Sequence, residues 1–195
     1  MKVGIDLGGT KIEVAVLDDA NQSVMRERVA TPQGDYTATC QAIVGLVNRV
    51  RHQFGNFDAV GIAIPGAVSK KTGLIKNANS TCLIGQDLQG DLQIALGIKV
   101  SLANDANCLA LSEASDGAAA GADVVFAVIV GTGCGGGLVV NGQVVNGINA
   151  IAGEWGHNPM PWIDSTLPQP ECYCGLTGCI ETYLSGPALS SHFLA

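Results

Sequence analysis

The sequence predicts an α/β protein of two domains, and three observations predict it. Apolar residues fill 47% of the 195 positions and charged residues only 14%, with 26 glycines, the balance of a compact, turn-rich chain. The hydrophobic period changes from strand-like alternation in the first thirty residues to helical spacing after Pro32. A strand, glycine turn, strand pattern occurs over 3–16 and again over 124–140. The small, Ala/Gly-rich stretch 117–121 reads as a hinge between an N-terminal α/β domain over 1–118 and a second α/β domain over 119–195.

The elements follow in order. Residues 1–6 read as a strand, Gly8-Gly9 as a tight turn, and 11–17 as a second strand in which Ile12, Val14 and Val16 alternate with polar or small residues. Asp18-Asp19-Ala20-Asn21 turns the chain into a third strand over 22–30. Over 35–54, Ile43, Leu46, Val47 and Val50 fall at the spacing of an amphipathic helix. Residues 58–64 form a buried strand stopped by Pro65-Gly66, and 70–92 read as irregular around Asn77-Ala78-Asn79-Ser80-Thr81. A short helix over 87–96 and a strand over 98–102 come next. Asn104-Asp105-Ala106-Asn107 then opens a helix to about residue 116, with Asn104 or Asp105 as its N-cap. Residues 124–130 are the most apolar strand and run into Gly131-Thr132-Gly133-Cys134-Gly135-Gly136-Gly137, with a further strand over 138–140. Asn141-Gly142 is a hairpin signal. A helix starts near Gly178, Ser185-Gly186-Pro187 breaks it, and a last short helix follows.

Net charge is −7 with no basic run, which disfavours binding to nucleic acid through a phosphate-neutralising patch. No stretch has the length and apolarity of a membrane span, and the opening residues lack the basic-then-apolar pattern of an export signal. Seven cysteines, an odd number, suit a reducing compartment. The expectation is a cytoplasmic protein with neither nucleic acid nor membrane as partner. His52 and His192 read as solvated.

Three of the cysteines crowd into Cys172-Tyr173-Cys174-Gly175-Leu176-Thr177-Gly178-Cys179-Ile180-Glu181, and a histidine precedes them in Gly153-Glu154-Trp155-Gly156-His157. Three thiolates and one imidazole, His157, Cys172, Cys174 and Cys179, make a closed tetrahedral shell for a structural Zn²⁺. Gly175 and Gly178 supply the sharp backbone turns between ligands. Buried thiols and a disulfide are the competing readings. Fixing these ligands also fixes Glu154 and Glu181, whose acceptor oxygens suit the hydroxyls of a polyhydroxylated substrate; solvated surface acids are the bland reading.

Asp6-Leu7-Gly8-Gly9-Thr10-Lys11 is a phosphate-loop candidate, since backbone N–H groups at Gly8 and Gly9 can approach an oxyanion. Thr10 adds a hydroxyl, Lys11 a charge, and Asp6 can orient Mg²⁺ through water. It lacks Walker A spacing, and a plain hairpin turn competes with it. Gly131-Thr132-Gly133 is a second such loop after the most apolar strand, with a glycine-rich bulge as the alternative. Asp105 is the candidate base for phosphoryl transfer to an alcohol, against a helix cap as the simpler role. Asn79 is a candidate for binding substrate hydroxyls.

Together these motifs resemble the ROK family of sugar kinases over the whole chain, and 77–81 with His157-Asn158-Pro159-Met160-Pro161-Trp162 look most like bacterial fructokinases. The resemblance implies an actin-like ATPase (ribonuclease H-like) fold of two α/β domains with an active site between them. It implies phosphorylation of a hexose, fructose favoured, at its 6-hydroxyl by ATP, with glucose, mannose or N-acetylhexosamine as alternatives. Asp105 would take the hydroxyl proton. Asn104, Glu154, His157 and Glu181 would bind the sugar, with Gly66 and Asn79 nearby. Asp6, Gly8, Gly9, Thr10, Lys11, Thr132 and Gly133 would surround the ATP phosphates and Mg²⁺. Family kinases run to roughly 300 residues, the usual size for one two-domain enzyme, so the second domain is expected to be incomplete here. A sugar-binding chain with impaired catalysis is the rival. An incomplete sheet leaves apolar edges that favour association, and a homodimer is expected.

Overall fold

The computed structural model describes residues 1–164, 166 and 169–194; Ser165, Leu167 and Pro168 of the proline-rich loop lie outside them. The chain forms two compact units, Met1–Asp105 and Ala106–Ala195.

The first unit is built on five strands: β1 (Lys2–Leu7), β2 (Lys11–Leu17), β3 (Ser23–Ala30), β4 (Ala59–Ile64) and a strand at Lys99–Asn104. Two two-residue strands, β5 (Ala67–Val68) and β6 (Ile75–Lys76), pair separately, which makes Lys99–Asn104 β7. The large sheet runs β3-β2-β1-β4-β7. β1, β2 and β3 are antiparallel neighbours, whereas β1, β4 and β7 are parallel.

Helices α1 (Tyr36–Phe54) and α2 (Leu88–Leu96) supply the apolar cover. Ile43, Leu46, Val47 and Val50 of α1 and Leu88 and Leu92 of α2 are fully buried with Ile12, Val14 and Val16 of β2. Each such burial contributes about 1.5–3 kcal/mol. The Asp35 carboxylate caps α1 by accepting from the Ala38 N–H at 2.9 Å. Asp87 does the same for α2 at Gly90, and Gly97 ends that helix in the left-handed region at φ 65°.

Two sequence expectations fall short here. β7 runs two residues past 102, because its pairing with β4 continues to Ile64–Asn104. The span 70–92 is more ordered than its composition implies. It holds β6 and a 3₁₀ turn at Thr81–Leu83, elements too short to carry a period.

The second unit contains α3 (Asp105–Ser115, entered from the last residue of the first unit), β8 (Val124–Val130), β9 (Cys134–Val140), β10 (Gln143–Val144), α4 (Glu181–Leu184) and α5 (Gly186–Leu194). Its sheet runs β10-β9-β8. β9 starts at Cys134, four residues before the apolar pattern does, because β8 and β9 pair in register from Val124–Val140 to Val130–Cys134. The glycines inside β9 answer to close packing. A Cβ on Gly137 would collide with the Ala106 carbonyl oxygen, and one on Gly136 would stand 2.7 Å from that of Gly153. Asn141 (φ 50°) and Gly142 (φ 72°) form the two-residue hairpin turn the sequence signals. No helix among the described residues is long and apolar enough to cross a membrane.

Candidate active site and metal centre

In the first unit the site residues collect where parallel strands end. Asp6 is in register with Ala63, and Ala63 with Ala103, so the carboxyl ends of β1, β4 and β7 lie along one edge of the sheet. A crevice at such an edge is where open α/β sheets bind ligands. The hairpin leaving β1 is closed by the Gly8 N–H donating to the Lys11 carbonyl at 2.9 Å, and Thr31 Oγ1 donates to the Gly8 carbonyl at 2.7 Å. A Cβ on Gly8 would sit 2.9 Å from the Lys11 oxygen. Gly9 is less confined, with only Ser80 Oγ at 3.7 Å from a Cβ there.

Asp6, Gly8, Thr10 and Lys11 line a pocket of about 300 Å³ together with Glu13 and Arg28. Lys11 therefore faces the pocket, a direction its strand position alone left open. Glu13 holds Arg28 in an ion pair and Arg26 at 3.4 Å. Asp6 sits on the open face of β1, yet its carboxyl is raised above the usual carboxylate range. Desolvation by the pocket walls is the main cause, then the charges of Asp105 and Glu13, with Arg28 opposing.

Asn104 and Asp105 are half-buried at the end of β7. The Asn104 amide donates to the Gly66 carbonyl at 3.1 Å and to Asp105 Oδ1 at 3.0 Å, so it orients the Asp105 carboxylate. Gly66 has φ 140°, and a Cβ there would lie 2.8 Å from the Lys76 carbonyl oxygen, so glycine is required. Asn79 is exposed.

In the second unit the loop between β8 and β9 is clasped from several sides. The Gly131 N–H donates to Gly133, the Gly186 N–H to Gly131, and the Cys134 N–H to Glu181 Oε2 at 2.8 Å. A Cβ on Gly133 would meet Glu181 Oε2 at 2.6 Å, which explains the glycine. Thr132 is exposed. The segment carrying Glu154 and His157 is anchored through its backbone. Gly153 and Gly156 press on β9, where a Cβ would collide with the Gly136 oxygen and the Cys134 oxygen respectively. Trp155 Nε1 donates to the Gly135 carbonyl at 2.6 Å. Glu154 is exposed, its carboxylate alongside Gly135.

His157, Cys172, Cys174 and Cys179 converge, their ligand atoms all within 4.8 Å of one another. Cys174 Sγ and Cys179 Sγ are 3.6 Å apart, and Cys172 Sγ is 3.4 Å from His157 Nδ1. A tetrahedron with metal–sulfur bonds of about 2.3 Å and metal–nitrogen bonds of about 2.0 Å has edges of about 3.8 and 3.5 Å, so the donor set fits one ion. Gly175 (φ 88°) and Gly178 (φ 68°) make the turns between ligands. Short backbone bonds hold the knuckle: Cys172 N–H to Leu176 at 2.8 Å, Met160 N–H to Gly178 at 2.8 Å, and Ile180 N–H to Asn158 at 2.9 Å. Burial, then the neighbouring thiols Cys174 and Cys172, push Cys179 up to about 12, while the Leu176 N–H chiefly lowers Cys174. Tyr173, which separates two of the ligands in the chain, places its hydroxyl 2.9 Å from His157 Nε2.

The first-unit candidates Asp6, Gly8, Thr10, Lys11, Gly66, Asn104 and Asp105 thus gather at one sheet edge, and the metal quartet gathers in the second unit with Glu181 beside the β8–β9 loop. Sequence reasoning missed Glu13 and Arg28, which line the pocket from β2 and β3 through strand pairing. It also missed Tyr173, for which position between two ligands was the available signal.

Known proteins give these features a context. The family model described as "ROK family" matches residues 2–194. N-acetyl-D-glucosamine kinases from Yersinia enterocolitica and Vibrio cholerae are each 43% identical over 191 residues, covering 95% of this chain and 63% of the relative. The chain therefore spans just under two thirds of the length of these relatives. A ROK hexokinase from Thermus thermophilus superposes with a TM-score of 0.80 at 34% identity, covering 98% of this chain and 62% of that one. A ROK family glucokinase from Streptomyces griseus, solved with glucose and AMPPNP, gives 0.82 at 32% identity, covering 97% and 59%. The architecture is accordingly the actin-like ATPase fold of those enzymes. The bacterial fructokinase likeness expected from 77–81 and 157–162 is not what these relatives carry. This chain belongs to the ROK family.

Proposed function

We propose that the chain carries the sugar-binding and part of the nucleotide-binding machinery of an ATP-dependent sugar kinase, with an N-acetylhexosamine, N-acetyl-D-glucosamine foremost, as acceptor. Fructose yields to the amino sugar because relatives at 43% identity are N-acetyl-D-glucosamine kinases. The observation that carries the reading is the Asn104–Asp105 pair beside Asp6 and the glycine hairpin at the strand ends. A carboxylate oriented by a neighbouring amide is suited to accept the proton of the sugar's 6-hydroxyl as the γ-phosphoryl group is transferred.

The other roles follow from chemistry. Gly8, Gly9, Thr10 and Lys11 offer N–H, hydroxyl and ammonium donors to phosphate oxygens, and Thr132 and Gly133 are proposed as a second set of phosphate donors. Asp6 would hold Mg²⁺, which would neutralise phosphate charge, and a cation there relieves the repulsion among Asp6, Asp105 and Glu13. Glu154, His157 and Glu181 of the second unit, and Gly66, Asn79 and Asn104 of the first, are the residues proposed to bind the sugar. Zn²⁺ on His157, Cys172, Cys174 and Cys179 would be structural, since four protein donors leave no position for water.

The test is ATP-dependent phosphorylation by the purified chain across N-acetylglucosamine, N-acetylmannosamine, glucose, mannose and fructose. Asp105→Asn is expected to lower transfer at least about 100-fold while sugar affinity is retained. Near wild-type turnover in that variant would remove Asp105 as base. The rival is a chain that binds sugar without transferring phosphate. Binding of N-acetylglucosamine with no product from any sugar would select it.

A further inference from the structure

Three charged side chains form a row across the open face of the first sheet. Asp6 of β1 is directly opposite Glu13 of β2, and Glu13 is directly opposite Arg28 of β3. Residues directly opposite one another share a face, and like charges so placed repel. Arg28 Nε donates to Glu13 Oε2, while Arg26 Nε stands 3.4 Å from Glu13 Oε1. Both oxygens of Glu13 thus face a guanidinium, and its side chain is only 16% exposed.

Donor counting leaves Arg28 only partly used. A guanidinium offers five N–H donors in a flat, rigid fork. One of them, at Nε, goes to Glu13. Among the described residues, no hydrogen bond engages its terminal nitrogens. The same side chain lines the pocket that Gly8, Thr10 and Lys11 line. An arginine tied through Nε still presents its two Nη groups as a pair of parallel donors, a geometry that matches two oxygens of one phosphate group. Folding does not account for the arrangement, because exposed ion pairs contribute little to stability and Glu13 opposite Asp6 is unfavourable by itself. Binding does account for it. A polyanion entering beside Asp6 and Glu13 needs more positive charge than Lys11 alone supplies.

We propose that Arg28 is a phosphate-binding residue of the first unit, held by Glu13 through Nε so that its two Nη groups meet nucleotide phosphate oxygens alongside Lys11. The assignment rests on the proposed function in one respect: it takes the anion to be the polyphosphate of ATP. Arg28 is far from the glycine hairpin in sequence, and the pairing of β2 with β3 brings it to the pocket.

Calorimetric titration of the 195-residue chain tests this in wild type, Arg28→Gln and Arg28→Lys, with Mg²⁺ present and sugar absent. The probes are inorganic tripolyphosphate, which carries the phosphates without the base, adenosine, which carries the base without phosphates, and ATP. Arg28→Gln is expected to weaken tripolyphosphate and ATP by the same factor, about tenfold, and to leave adenosine unchanged. Arg28→Lys keeps the charge but cannot serve Glu13 and a phosphate through one planar fork, so it should recover only part of the loss. Urea unfolding checks the fold, and the midpoints of both variants should stay close to that of wild type because the ion pair is exposed. Unchanged tripolyphosphate affinity in Arg28→Gln, an equal loss for adenosine, or full recovery in Arg28→Lys would each overturn the proposal and leave the role of Asp105 standing. A wild-type chain that binds neither ATP nor tripolyphosphate would overturn it together with the nucleotide half of the proposed function. The titrations need no phosphoryl transfer, so the two readings fail separately.

Discussion

The five-stranded and three-stranded sheets of this chain are held by different forces. In the first unit, five strands bury Ile12, Val14 and Val16 against fully buried residues of α1 and α2, and a single large core results. In the second unit, three strands share a small core of Ala110, Val125 and Val139. The outward residues of β8, Val124, Phe126, Val128 and Val130, remain 50–61% exposed, on a strand that is also the edge of its sheet. Among the described residues, much of the rest of that unit has neither helix nor long strand. Isolated bridges at Pro159–Cys179 and Glu171–Thr177, loop hydrogen bonds and the ligand quartet hold it together. Candidate residues at the ends of β1 and β7 therefore inherit rigidity from a hydrophobic core, whereas Glu181 and His157 sit in a loop-rich knuckle around the Cys₃His cluster.

Removing metal should break this contrast most severely. Structural zinc contributes on the order of 10 kcal/mol to small domains, far beyond what the second unit's apolar core can replace. Chelation is expected to abolish hydrogen-exchange protection over 157–181 while β1, β2 and α1 keep theirs. Unchanged protection in the knuckle would mean that the ligands are ordinary thiols. The loss should deepen as pH falls, because Cys179, held well above the normal thiol range, must give up its proton to bind metal.

A cavity in the first core sharpens the comparison from the other side. Leu46 is fully buried, so Leu46→Ala should cost about 2–5 kcal/mol in urea unfolding and leave metal retention intact. A cost below about 1 kcal/mol would deny the first unit its core. The smallest effect is expected on β8. Val128→Thr, at a position 53% exposed, keeps β-branching and should change stability by less than about 0.5 kcal/mol in this chain. A larger loss would show that the outward face is packed in solution.

Much of the fold was legible because its signals are local. Asp35 caps α1 one residue before the helix, at the start the period implied, and the break at Ser185 divides α4 from α5. The misreadings have a common origin. β9 opens on Cys134-Gly135-Gly136-Gly137, where glycine speaks against a strand, and what makes it one is the partner β8 and the backbones of Gly153 and Ala106 pressing on the missing Cβ positions. β5 and β6 were invisible for lack of length. At the site, the Cys₃His cluster was readable from thiols, imidazole and spacing. Glu13, Arg28 and Tyr173 were not, since each acquires its meaning from a neighbour distant in sequence or from the direction of one hydroxyl.

The amino-acid order alone determined which groups are chemically able to act: a Cys₃His donor set, two carboxylates close to it in sequence, two glycine turns and an Asn-Asp pair at a strand end. Those follow from residue type and short-range spacing, which need no folding to read. Only the tertiary structure decided which of them meet. Parallel pairing of β1, β4 and β7 brought Asp6 beside Asp105, and the fold of the knuckle set the Tyr173 hydroxyl 2.9 Å from His157 Nε2. Register and side-chain direction arise from long-range packing, and no local pattern encodes them.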